Sequence, residues 1–177
     1  MKWLLAATFV VLSSPSFAQQ PTYGEQSPGT SEFVDKAANT DMFEIEAGQL
    51  AQQKSKDAQV DAYASMVIQD HQKSTSELKS KVQTVPSIQV PTSLDAAHQQ
   101  KIDKLKSASG AAFLQEFKNQ QVQGHQEAIQ LFEAYGKNGG SAQLKEWATT
   151  MVPKLQEHLQ RAQQLPTSEE APTTGSR

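Results

Sequence analysis

Three histidines and one glutamate stand where aliphatic residues are expected. Val60, Ala64, Val67, His71, Ser74, Leu78 and Val82 recur at alternating steps of three and four, which lines them up on one face of a helix. His71 falls in the middle of that stripe. Leu114, Phe117, Gln121, His125, Ala128, Phe132 and Tyr135 make a second stripe interrupted by His125, and Leu144, Trp147, Ala148, Met151, Leu155, His158, Ala162 and Leu165 a third interrupted by His158. Glu44 shares a face with Phe33, Ala37, Gly48 and Ala51, mostly small residues that leave room for a carboxylate to point inward. Imidazole and carboxylate are the donors that hold zinc, iron or manganese in a protein without thiols. The plain alternative for each is a core residue satisfied by hydrogen bonds, since a buried carboxylate must be paired or neutralised. A shared metal site and a metal-free polar layer therefore both stand.

Counting along the helices tests whether the four groups meet. The turn around Lys56 separates Glu44 from His71 by levels that differ by three residues, roughly 4.5 Å along the axis. Around Gly139, His125 and His158 differ by five residues, roughly 7.5 Å. Glu44 is thus expected to face His71 across the first hairpin, with His125 as companion and His158 displaced. Asp70 and Glu157 point about 100° away from the histidines they precede and suit supporting or surface roles. Asp95 and His98 have a metal-site spacing but no second such pair, and are read as coincidence.

The elements that carry these residues are all helical. Thr30 or Ser31 is the expected cap of a first helix running to about Ser55. A short turn then forces the second helix, which ends near Thr84, to run antiparallel. Val85 to Pro91 reads as an extended crossover. Ser93 is the expected cap of a short helix to about Ser107, followed by a helix over 111–137. Asn138-Gly139-Gly140 stops it, and Ser141 caps the last helix, in which Pro153 points away from the core. No segment has strand periodicity. The expected fold is all-α: an antiparallel four-helix bundle with one extra short helix in the crossover between helices 2 and 3.

Composition narrows the function classes. Residues 1–18 read as a signal peptide, with Lys2, the apolar run Trp3–Leu12 and Ser16-Phe17-Ala18 before a cleavage expected between Ala18 and Gln19. That predicts a periplasmic or secreted protein, without integral membrane insertion once the segment is removed. Residues 19–29 read as a flexible leader, 30–165 as the helical domain and 166–177 as a disordered tail. The chain has no cysteine, which removes disulfides, thiolate ligands, thiol nucleophiles and a lipid-anchor site. Its net charge is −3 with no basic block, so nucleic acid is not an expected partner. No phosphate loop, nucleotide fingerprint or nucleophile elbow occurs.

Phe33-Val34, Met42-Phe43-Glu44-Ile45-Glu46 with Gly48, Met66-Val67-Ile68-Gln69-Asp70-His71, Gly110-Ala111-Ala112-Phe113, His125, and Val152-Pro153-Lys154-Leu155 before His158-Leu159 together resemble a family of exported bacterial proteins, domain of unknown function 4142. The resemblance implies a ferritin-like four-helix bundle in the periplasm or at the outer membrane, and no known activity. Di-iron ferritins need Glu-x-x-His on two helices, whereas Ile68, Val122 and Leu155 stand three before the histidines here. Ferroxidase chemistry is not expected. The leading reading is a non-enzymatic exported protein holding a transition metal through Glu44, His71, His125 and His158. An envelope structural or stress-related interaction protein with a metal-free polar core is the alternative, and a metal-dependent oxidase a weaker one.

Overall fold

The computed structural model describes residues 27–85 and 87–168. The expected signal segment, the leader up to residue 26 and the tail from residue 169 lie outside the described residues. Among those described, five helices and no strand occur: α1 (Thr30–Lys54), α2 (Ala58–Val82), α3 (Ala96–Ser107), α4 (Gly110–Asn138) and α5 (Ala142–Gln163). None is long and apolar enough to cross a membrane.

Residue pairs fix how the long helices run. Asp41 meets His71 and Gln52 meets Ser65, so α1 and α2 are antiparallel. Lys118 reaches the Leu165 carbonyl while His125 meets His158, so α4 and α5 are antiparallel too. Close approach of α1 to α2 depends on Gly48, where an added Cβ would stand 2.8 Å from Ile68 Cγ1. The short α3 lies against α1 and α4. Its C-terminal end is held by Lys54, whose Nζ donates to the carbonyls of Leu105, Lys106 and Ala108, a cation placed on the negative end of the helix.

The helix ends show two departures from expectation. Gly29, not Thr30 or Ser31, is the N-cap of α1, and the Thr30 hydroxyl instead accepts a hydrogen bond from Tyr135 Oη on α4. A long-range partner has taken the side chain that local capping would use. Asp95, not Ser93, caps α3: its Oδ1 accepts from the His98 backbone N–H and lies 2.9 Å from His98 Nδ1. The Asp95–His98 spacing is thus a capping interaction, stronger than a hydroxyl cap because the acceptor is ionised. Asp57 caps α2, and Ser141 caps α5 as expected. Pro153 is exposed, as its position off the inner stripe requires.

The core is divided. One apolar cluster includes Phe33, Val34, Leu78, Phe132, Tyr135, Trp147 and Leu155. The other includes Phe43, Val60, Tyr63, Val67, Ile102, Phe113, Phe117 and Leu165. Along α1, α2, α4 and α5 the change from one cluster to the other falls at Asp41–Glu44, His71–Ser74, Gln121–His125 and His158. A buried polar layer therefore crosses the protein between two dry halves, each of which holds its share of the layer in register.

Candidate metal centre

The layer places the three histidines together. Their rings are 1–2% exposed, with centroids 5.3–5.8 Å apart, and one nitrogen from each lies within 4.8 Å of the other two. His158 is not displaced. Helical side chains lean toward their own N-terminus, so on antiparallel helices His125 and His158 lean toward each other and close the offset that backbone counting predicts. His125 Nε2 and His158 Nδ1 are 3.3 Å apart.

Each ring has its outer nitrogen tied to a fixed acceptor. His71 Nδ1 is 2.8 Å from Asp41 Oδ1, and the Thr75 hydroxyl lies 3.2 Å from Asp41 Oδ2. His125 Nδ1 is 2.8 Å from the Gln121 carbonyl, which can only accept, so that nitrogen carries the proton. His158 Nε2 is 3.0 Å from Asp70 Oδ2, which also takes a hydrogen bond from Lys154 Nζ at 3.0 Å. Burial raises the Asp70 carboxyl, but the hydrogen bonds from His158 and Lys154 and the lysine charge outweigh it, so it stays below the usual carboxylate range and accepts.

The three nitrogens left over then bear lone pairs. His71 Nε2 is buried without any partner. His125 Nε2 and His158 Nδ1 face one another as two acceptors, which repel unless a cation or a proton sits among them. Two imidazole nitrogens about 2.0–2.1 Å from one ion at trigonal angles are about 3.5 Å apart, close to the 3.3 Å between His125 Nε2 and His158 Nδ1, and one nitrogen of His71 lies within 4.8 Å of the other rings' ligand atoms. The donor set fits a metal ion.

Electrostatics limits how many protons the trio can hold. Burial pushes His125 well below its ordinary value, and the charges of His71 and His158 add to this. Burial likewise brings His158 down to about 4, with His71 contributing and Asp70 opposing. At His71 burial also lowers, but the Asp41 hydrogen bond and the Asp41, Glu44 and Asp70 charges together leave it raised. His71 is therefore the member that takes a proton, and its charge discourages a second.

Glu44 does not pair with His71. Asp41, one helical step of three before it, does, with Oδ1 2.8 Å from His71 Nδ1. It was the residue the face pattern overlooked. Glu44 is fully buried and its Oε1 is 3.7 Å from His125 Nδ1, behind that ring rather than among the inward nitrogens. Neither carboxylate oxygen has a well-formed hydrogen bond, and the facing Gln121 Nε2 has none either. Gln121 Oε1 accepts instead from the Tyr63 hydroxyl at 2.8 Å. Burial raises the Glu44 carboxyl to about 7, against the pull of His71, the Gln121 amide and Lys101.

Residues 14–165 match the model of the family described as Domain of unknown function (DUF4142), and the chain belongs to that family. No curated protein sequence matches it. Among solved structures the fold is similar to that of CopM in the Cu(II)-bound form, at 18% identity and a TM-score of 0.66, over 78% of this chain and 96% of that one. It is also similar to CopM in the Cu(I)-bound form, at 17% identity and 0.64 over 78% and 95%. The Ag-bound form gives 19% identity and 0.62 over 76% and 92%. At such identities the likeness is one of fold.

Proposed function

We propose that the protein binds one copper ion as cargo, through the inward nitrogens of His71, His125 and His158, within an antiparallel four-helix bundle of the ferritin-like type. The observation that carries this reading is the convergence of three buried imidazole nitrogens whose opposite nitrogens are already tied to Asp41, the Gln121 carbonyl and Asp70. Such outer bonds fix the tautomer and orientation of metal-ligating histidines. The copper- and silver-bound forms of the similar fold favour this metal over others. Neutral imidazoles also accept zinc and iron, whereas manganese favours oxygen donors, and Glu44 stands on the far side of His125.

Burial of the trio favours holding over turnover, because catalytic metal sites keep an open position for substrate. Asp41 and Asp70 bring two negative charges near the site, which offset the charge of a bound cation. The reading includes export, with cleavage between Ala18 and Gln19, a leader over 19–29, the domain over 30–165 and a tail over 166–177.

Metal analysis of tagless protein, with copper, zinc, iron and manganese supplied in turn, tests the reading. One equivalent of copper is expected for the wild type and a loss of high-affinity uptake for His71→Ala, His125→Ala and His158→Ala. Wild-type protein that takes up no metal and gains no thermal stability from any of the four would overturn it and leave the metal-free polar layer.

A further inference from the structure

Donors are few in the middle of the polar layer. The inward nitrogens of His71, His125 and His158 lie within 4.8 Å of one another, and among the described residues no further histidine, aspartate or glutamate joins them. Asp41 and Asp70 are engaged at the outer nitrogens, and Glu44 stands behind the His125 ring. Along the same helices the neighbouring inward positions hold Val67, Ala128, Leu155 and Ala162, all aliphatic and buried, two in each apolar half. Of the polar neighbours, Gln121 turns its amide oxygen to Tyr63, and Ser74 offers only a neutral hydroxyl. Charge is as limited as the donors. Asp41 is buried, with His71 and the Thr75 hydroxyl as partners, both neutral when His71 serves as a ligand. Asp70 shares its charge with Lys154, whose Nζ is 3.0 Å away. Burial raises the Glu44 carboxyl to about 7, so in mildly acid solution it keeps its proton. One uncompensated carboxylate is left beside three neutral imidazoles.

We propose that the centre selects copper(I), held by three imidazole nitrogens, over copper(II). The inference rests on the metal-binding reading above and names the form in which the ion is taken. Copper(II) favours a tetragonal set of nitrogen and oxygen donors, and the trio supplies no fourth corner. Copper(I) has a filled d shell, like zinc, and so no such geometric demand. Three converging nitrogens suffice for it. The charge argument points the same way. A divalent ion in this layer leaves a net positive charge buried away from water, which is costly. A monovalent ion is matched by Asp41 alone. Zinc meets both obstacles, since it carries two charges and completes a tetrahedron. Donor number and charge thus set the oxidation state, while the outer hydrogen bonds set where the lone pairs point.

Chelator competition on the full chain at pH 6 tests the selection, with copper(I) measured anaerobically against bicinchoninate and copper(II) against nitrilotriacetate. The equivalent that is lost in His125→Ala defines the site. Copper(I) is expected to be held about a hundredfold or more tighter than copper(II). At 59 mV per decade, that places the bound couple about 120 mV or more above the aqua ion. X-ray absorption of the copper(I) protein is expected to show three nitrogen neighbours and no fourth donor. Lys154→Gln changes a side chain that is 40% exposed and leaves the Asp70 charge unshared. Copper(II) then gains more than copper(I), and the ratio is expected to narrow about three- to tenfold. Equal affinities in the wild type, four donors around copper(I), or an unchanged ratio in Lys154→Gln would each overturn the selection and leave the metal reading standing. A wild type that takes up neither ion would overturn both.

Discussion

His71 Nδ1 lies 2.8 Å from Asp41 Oδ1 across the α1–α2 hairpin, and this one contact decides which way the histidine points its lone pair. Both groups are almost wholly buried, so the pair is screened from water and holds its geometry. Asp41→Asn keeps an acceptor oxygen of similar shape but removes the charge. Affinity for copper is expected to fall about 10- to 100-fold, the usual cost of disturbing a group that orients a metal-ligating histidine. Chelator competition on wild type and variant checks this, and unchanged affinity would show that Asp41 does not orient His71 for binding.

The helices and their inward faces were legible because periodicity encodes them directly: all three histidine stripes are buried as read. Glu44 was likewise rightly read as inward. The pairing within the layer was harder. Asp41 escaped because Asp in a first helix usually reads as surface, although it shares a face with Ala37 and Glu44. His158 was misjudged because backbone levels ignore the lean of side chains toward the helix N-terminus. The caps Thr30 and Ser93 were overridden by a tertiary partner, Tyr135, and by a stronger local acceptor, Asp95.

The pH dependence of metal binding should reveal one proton, not three. His125 and His158 are held below the ordinary histidine value, His125 well below it and His158 at about 4, so both give up their protons before His71 as pH rises. Only His71, which is raised, must lose a proton to bind. Below the pKa of His71, affinity is expected to fall by about tenfold per pH unit. Three ordinary histidines would give up to about a thousandfold per unit below pH 6. Measuring log Kd from pH 8 to 5 in the wild type, and in Glu44→Gln, which removes the other titrating carboxyl and with it one of the charges that raise His71, separates these cases. A slope near three, or none, would refute this account of the trio.

The apolar halves hold the fold independently of the site. Phe33 stacks on Tyr135 with centroids 3.9 Å apart and meets Phe132 and Trp147 edge-on, all within one cluster. Phe33→Ala leaves a large void at a fully buried position and is expected to cost about 3–5 kcal/mol. Urea unfolding measures the loss. Copper affinity of the folded variant is expected to stay near wild type, and a parallel loss would mean that the halves and the polar layer are not separable.

Glu44 should weaken the metal-free protein in a pH-dependent way. Burial holds its carboxyl at about 7 in the folded state, against 4.5 as the ordinary value. Below about 4.5 both folded and unfolded chains hold the proton, so the group makes no difference. Between 4.5 and 7 the unfolded chain has released it while the folded chain keeps it, and stability falls as pH rises. Above 7 both are ionised and the full penalty stands, roughly 3 kcal/mol from the difference in pKa. Glu44→Gln removes the ionisation and keeps the shape. Its melting temperature is therefore expected to exceed that of the wild type most at pH 8, by about 6–12 °C for a domain of this size. That margin should shrink through pH 7 to 5 and vanish near 4.5. Thermal melts across this range check it. A margin that is equal at pH 5 and pH 8 would mean that packing, not charge, separates the two proteins. A variant less stable than wild type at pH 8 would mean that the buried carboxylate is satisfied by its neighbours.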